Sequence, residues 1–385
     1  MSHHHHVRTA CAVATLLALA GTAAFRPAAI AETAPADSRL PLVFIADLYH
    51  PPQDPDDHID LATLCALPEF DLRCVLLDCS RKFLVPSPEG WDVARDPGLI
   101  PVAQLAYLLG RTIPAAVGPS EPLKSPTDAA EDRPLAEQAA IHLLLDTLRQ
   151  SPVPVTLALT GSARILVAAF NRDPQLVRAK TRRVLLNAGA TGGPKREWNV
   201  MLDAAAYVGL WRSGLPIDWF PCSTETGAFN PSHERGTHWR STHAELFRGI
   251  AAPISAWFAY AFGASGRGDI VHALTEGASG EAVWSHALVG PRNLWSTISF
   301  VLAAGRQLAR TPEGWRFVPA GATAGLEVWP MRLDPITAAA DTVGGMTWQV
   351  SPGATTTRVF GREVRGDFGA AMTEALNALL RGLRA

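Results

Sequence analysis

Asp47, Asp54, Asp56, Asp57 and Asp60 follow the apolar run Val43-Phe44-Ile45-Ala46 and lead into the amphipathic stretch that starts at His58-Ile59. Carboxylates this close raise one another's pKa by like-charge repulsion, so the cluster must either keep protons or share a hard cation. Calcium suits it, since that ion takes about 6 to 8 oxygen ligands and favours carboxylates among them. The end of a strand is also where an open α/β sheet binds its ligands. The segment is therefore read as a metal site.

The elements that would hold these acids alternate along the chain. Apolar spacing predicts strands over 42–46, 72–77, 115–117, 155–159, 183–187 and 217–220, with helices between them over 59–67, 102–109, 137–149, 163–170 and 203–213. Such alternation predicts an α/β fold, a mainly parallel, Rossmann-like sheet covered by helices on both faces, because its strands are nearly continuous apolar runs. Beyond Pro221 the pattern predicts helices over 242–263 and 295–309, short strands over 325–329 and 346–350, and a closing helix over 368–383, together a C-terminal α+β elaboration. No internal repeat and no shift in composition divides residues 41–385, which read as one domain.

With 385 residues, 48% of them apolar and 18% charged, the chain can bury a large core. Its net charge of −2 and the lack of any long basic run argue against nucleic acid or an anionic membrane as partner. The N-terminus reads as an export signal. A tract of four histidines and Arg8 precede an apolar stretch from Thr9 to Phe25, and Ala29-Ile30-Ala31 suits a signal peptidase. Residues 1–31 are thus expected to be removed and 32–40 to form a linker, giving a secreted or periplasmic protein with no membrane span after processing. Cys65, Cys74, Cys79 and Cys222 lack metal-type spacing and sit among apolar neighbours, so buried free thiols are expected, with a disulfide open as the alternative.

The run from Asp56-Asp57 through the helix to Pro68-Glu69 resembles the opening of the inosine/uridine-preferring nucleoside hydrolase family, whose pattern is D-x-D-P-G-x-D-D, a helix and a Pro-Glu turn. Leu109-Gly110-Arg111, Ile113 to Gly118 and Pro122-Leu123 resemble its next helix, strand and turn. Arg183 to Gly193 is similar to its V-V-x-M-G-G-A strand, and Glu197-Trp198-Asn199 with Asp203 and Ala206 to its E-F-N-x-x-x-D-x-x-A motif. The resemblance covers residues 42–221. It implies the family's fold and a calcium-dependent hydrolysis of the N-glycosidic bond of a ribonucleoside or related riboside. It also implies roles. Asp56 and Asp57 match the metal-binding pair, while either Asp47 or Asp54 takes the place of the earlier aspartate, which binds metal and accepts a proton from the attacking water; Asp47, at the strand end, is preferred. Glu197 and Asn199 match residues that bond the ribose hydroxyls, and Trp198 beside them could stack on base or sugar. A small-molecule riboside and, by analogy, a homo-oligomer follow as partners.

The chain also departs from the pattern. The family's last metal ligand is an aspartate in H-D-P, whereas the matching segment here is Pro291-Arg292-Asn293-Leu294-Trp295-Ser296-Thr297, so Asn293 or Ser296 is left as a neutral donor. Arg81 stands where a sugar-binding asparagine is usual, and Arg164 falls near a threonine whose carbonyl ligates the metal. His58 and Asp60 are read as residues of the first helical turn, either able to face the site, and Asp203 as a helix cap. His272 and His286 are possible leaving-group acids, and Trp284 and Trp295 possible stacking groups. A catalytically impaired sugar- or nucleoside-binding homologue is the alternative function.

Overall fold

The computed structural model describes residues 39–84, 95–193, 196–262, 274 and 291–384. The expected signal segment with its histidine tract, most of the linker, and Trp284, His272 and His286 lie outside the described residues. Among the described residues no helix is long and apolar enough to cross a membrane.

Nine strands form the main sheet: β1 (Leu40–Ala46), β2 (Phe70–Leu77), β3 (Ala115–Val117), β4 (Val155–Leu159), β5 (Thr181–Asn187), β6 (Ile217–Phe220), β7 (Met331–Ala340), β8 (Met346–Val350) and β9 (Thr357–Arg362). Their spatial order is β8-β7-β9-β6-β5-β4-β1-β2-β3. Every pairing from β9 to β3 is parallel, and β7 and β8 add an antiparallel margin. The connecting helices are α1 (Asp56–Ala66), α2 (Leu99–Leu108), α3 (Leu135–Gln150), α4 (Arg164–Arg172), α5 (Pro174–Lys180), α6 (Trp198–Leu202) and α7 (Ala204–Arg212). After β6 come α8 (His243–Leu246), α9 (Ala252–Phe262), α10 (Thr297–Ala303) and, at the end, α11 (Phe368–Arg381).

The two-residue period of β1 divides the core. Leu42 and Phe44 face α1, α9, α10 and α11, whereas Val43 and Ile45 face α3, α4 and α7, and all four side chains are fully buried. A sheet buried on both faces needs apolar residues at consecutive strand positions, as the sequence has. Two expectations fail beyond Pro221. The stretch expected as one helix over 242–263 is the end of a short strand (Trp239–Thr242) followed by α8 and α9, with a Thr242–Glu245 capping box starting α8. The helix expected over 295–309 stops at Ala303, because Gly305 adopts a positive φ of 70° and Arg306–Thr311 turns back as a strand paired with Gly314–Pro319. The four described cysteines are free thiols.

One buried cation ties together the loops at the carboxyl ends of the parallel strands. Arg164, fully buried at the start of α4, donates from Nη1 to the Pro119 carbonyl at 2.7 Å and from Nη2 to Ser80 Oγ at 3.0 Å. Its Nε lies 3.3 Å from Asp203 and 3.7 Å from Asp78, both with buried side chains. The loops after β2, β3 and β4 and the junction of α6 with α7 are therefore held to a single guanidinium. Arg164→Leu leaves two buried carboxylates without it and is expected to lower the unfolding free energy by about 3 to 5 kcal/mol. Urea denaturation measures this, and an unchanged midpoint would mean the network is not what holds these loops.

Candidate active site

The carboxyl ends of β1, β4, β5 and β6 open into a cavity of about 520 Å³. Its lining includes Asp47, Asp54, Asp56, Asp57, Glu197, Trp198 and Asn199, the residues to which the resemblance assigns the metal, the proton transfer and the sugar. Local structure explains how each arrives there. Asp47 is the first residue past β1, and Pro55 precedes α1 so that Asp56 and Asp57 occupy its first turn, where the helix dipole favours negative charge. Gly161, past β4, lets its loop close on β1. A Cβ at that position would lie 3.0 Å from the Asp47 backbone nitrogen and 3.2 Å from Asp78 Oδ2.

Hydrogen bonds fix the floor. Thr160 Oγ1 donates to Asp57 Oδ1 at 2.6 Å, and the Thr160 carbonyl accepts from Asn199 Nδ2 at 2.8 Å. The same Asn199 amide donates to the Asn187 carbonyl at 2.9 Å, and Asn187 Nδ2 donates to the Leu159 carbonyl at 3.0 Å. Glu197 caps α6, accepting from the Gly189 backbone N–H at 2.7 Å and from Asn199 and Val200 N–H groups at 3.0 and 3.3 Å. Gly189 has φ +84°, and a Cβ there would sit 2.1 Å from the Tyr207 hydroxyl oxygen, so this approach requires glycine.

Burial and crowding dominate the electrostatics. Asp47 and Asp57 lie close enough that a proton on one carboxyl would be shared with the other. Burial, then the charge of Asp57, pushes Asp47 well above the usual carboxyl range, whereas Asp57 rises by burial only to about 6 because Thr160 and Asp47 bond to it. Burial and the neighbouring Asp54 and Asp57 raise Asp56 well above that range too, and burial lifts Glu197 to about 7.

The remaining candidates separate. Asp54 lines the cavity and forms an ion pair with Arg292, joining the loop before α1 to the strand Pro291–Leu294. Asp60 is buried beside Ser296 and does not reach the cavity. His58 is packed against Trp257 and Phe262, and its ring nitrogens have no hydrogen-bond partner. Burial holds it near pKa 3, so it is a core residue. Asp203 caps α7, accepting from Ala206 N–H at 2.9 Å. Arg81 is exposed and lies 3.5 Å from Glu121. Trp295 and Ser296 line the cavity, whereas Asn293 Oδ1 meets His238 Nε2 at 3.1 Å. Sequence reasoning missed Thr160, Arg196, Met201, Cys222 and Phe229 in the lining. Thr160 alone carried a signal, as the polar residue ending an apolar strand.

Among the described residues no three His, Cys, Asp or Glu side chains are grouped so as to hold a metal ion. Asp47 and Asp57 are turned to each other, Asp54 is engaged by Arg292, and the segment from 291 to 297 contributes no carboxylate. As arranged, these residues do not fit a calcium shell.

No family model matches the chain. The pyrimidine-specific ribonucleoside hydrolase RihA of Citrobacter koseri is 27% identical over 237 residues, 56% of this chain and 68% of that protein. The protein of the same name from Escherichia coli is 28% identical over the same shares. The solved plant nucleoside hydrolase PpNRh1 superposes with a TM-score of 0.51 at 12% identity, covering 89% of this chain and 98% of its own. The chain is thus similar in sequence to these ribonucleoside hydrolases, and its strand order with helices on both faces is the fold of the solved plant enzyme.

Proposed function

We propose that this protein hydrolyses the N-glycosidic bond of a ribonucleoside or a related riboside. One observation carries the reading: acids from the end of β1 and the start of α1 share a single cavity with Glu197, Asn199 and Trp198, although some 140 to 150 residues of sequence separate the two groups. Asp57, ionised above about pH 6, accepts the proton of an attacking water, and Asp47 retains the proton that links the two. The surrounding carboxylates favour the positive charge of an oxocarbenium-like transition state. Asn199 and the lone pairs of Glu197 not used in capping meet the ribose hydroxyls. Trp198, Trp295 and Phe229 offer aromatic faces to a planar leaving group.

Calcium enters this reading as a competitor of the shared proton: it would take Asp47, Asp56 and Asp57 as ligands only once that proton has left. The absent C-terminal carboxylate and the mutual bonding of Asp47 and Asp57 favour a second reading, a riboside-binding protein without turnover. Hydrolysis of p-nitrophenyl riboside with calcium titrated from zero to saturation separates the two. Turnover supports the hydrolase, whereas ribose binding without turnover supports the binder. Export and self-association remain part of the proposal, checked by fractionation of the expressing cell and by sedimentation.

Asp57→Asn is expected to lower kcat by about 10² to 10⁴-fold, the range a positioned general base contributes. Parallel assays of Asp47→Asn and Asp54→Asn rank the alternatives, and wild-type rates in Asp57→Asn would remove it from the role.

The acids also predict a pH-dependent stability. Asp57 and Glu197 go from ordinary values of 3.8 and 4.5 to about 6 and about 7, so between about pH 4 and 7 the folded state binds more protons than the unfolded one. Stability therefore declines as pH rises through that window. In EDTA the Tm should fall by about 2 °C or more between pH 5 and pH 8. Millimolar calcium should recover the loss at pH 8 if the ion displaces the shared proton, and an unchanged Tm would refute calcium binding.

A further inference from the structure

The cavity sorts its charges by depth. Asp47, Asp56, Asp57 and Glu197 are buried or half-buried acids of the cavity, and Arg196, the only cation among the described residues of its lining, is exposed. Among the described residues the Arg196 guanidinium has no hydrogen bond or ion pair, and its field reaches Asp341 without pairing. Lys82 lies against Trp198, its Nζ 5.1 Å from that ring and 4.8 Å from the ring of Phe83, which itself stacks on Trp198 at 5.6 Å. No carboxylate pairs with Lys82 among the described residues. One cation of the lining and a second held against the lining residue Trp198 thus accompany an otherwise acidic cavity, and neither forms an ion pair among the described residues.

We propose that the substrate is a phosphorylated riboside, a nucleoside 5′-monophosphate in its simplest form, whose phosphate is held at the rim by Arg196 and Lys82. The inference deepens the hydrolase reading and rests on it. An anomeric carbon presented to Asp57 leaves the exocyclic 5′ carbon as the ribose position able to reach furthest from the acids. Arg196 directly precedes Glu197, the residue assigned to a ribose hydroxyl, so a phosphate ester extending outward from the sugar meets a guanidinium suited to bidentate contact. Without the rim cations the acidic interior would repel a dianion; with them the same charge distribution orients it, phosphate outward and sugar inward. The reaction is a hydrolysis. Water adds at C1′ as its C–N bond breaks, the base leaves with a proton, and the phosphate ester stays intact, giving free base and ribose 5-phosphate.

The test compares uridine with uridine 5′-monophosphate and inosine with inosine 5′-monophosphate, following base release by the full chain and by Arg196→Met and Lys82→Met. The nucleotide is expected to exceed its nucleoside in kcat/KM by about tenfold or more, as a charge-assisted phosphate contact implies. In Arg196→Met the loss on the nucleotide should exceed the loss on the nucleoside by about tenfold, through KM, with a smaller effect in Lys82→Met. A nucleoside cleaved as well as its nucleotide, or equal losses on both substrates, overturns the proposal and leaves the hydrolase reading standing. If neither is cleaved, the hydrolase reading fails and calorimetric binding decides. Tighter binding of the nucleotide, lost in Arg196→Met, supports the phosphate site, and equal affinities overturn it.

Discussion

The cost of bringing acids together out of water governs the architecture at the carboxyl ends of the strands. Asp47, Asp56, Asp57, Asp60 and Asp78 all have carboxyl pKa values raised first by burial, and most of them also by one another. Each compensation is local and different. Asp78 has Arg164 nearby and the Ser162 N–H at 2.7 Å, Asp57 has the Thr160 hydroxyl, Asp54 has Arg292, and Asp47 has Asp57 itself. Each of these four acids thus has a local partner, whereas one Asp60 oxygen is buried with no hydrogen bond among the described residues, and the cavity between the loops is lined by acids.

This arrangement makes the site a product of the whole sheet rather than of one motif. Thr160 ends β4, Asn187 ends β5 and Asn199 bridges both, so the position of Asp57 depends on two neighbouring strands keeping register. Arg164 extends the same dependence to β2 and β3. A disturbance in any of four loops is transmitted to the carboxylates through bonds of 2.6 to 3.0 Å.

Much of this was legible in the sequence where a periodicity or a motif spoke alone. The parallel strands from 42 to 220 followed from continuous apolar runs, and the spacing of Glu197, Asn199 and Asp203 pointed to two residues that line the cavity and to one that caps a helix. Three things were not legible. The capture of Asp54 by Arg292 joins residues 238 apart in sequence, and no local pattern reports such a contact. The close approach of the loop after β4 to Asp47 is permitted by Gly161, which reads in sequence as an ordinary loop glycine. The strand Arg306–Thr311, expected in part as the end of a helix, escaped because its half-exposed residues lack the apolar continuity that marked the central strands.

The sheet's strand order has a consequence for how the protein is made. β9, near the end of the chain, lies between β6 and the β7–β8 hairpin, and its parallel partner is a strand synthesised about 140 residues earlier. Until residues 357–362 have been synthesised, β6 presents an open row of amide and carbonyl groups on its outer side. Nascent chains therefore pass through a long interval with one sticky margin uncovered, and completion waits for a non-local closure that is slow by its topology. A protein built this way depends on being kept apart from its own copies during synthesis, and C-terminal truncation short of β9 should yield aggregates rather than a smaller working domain.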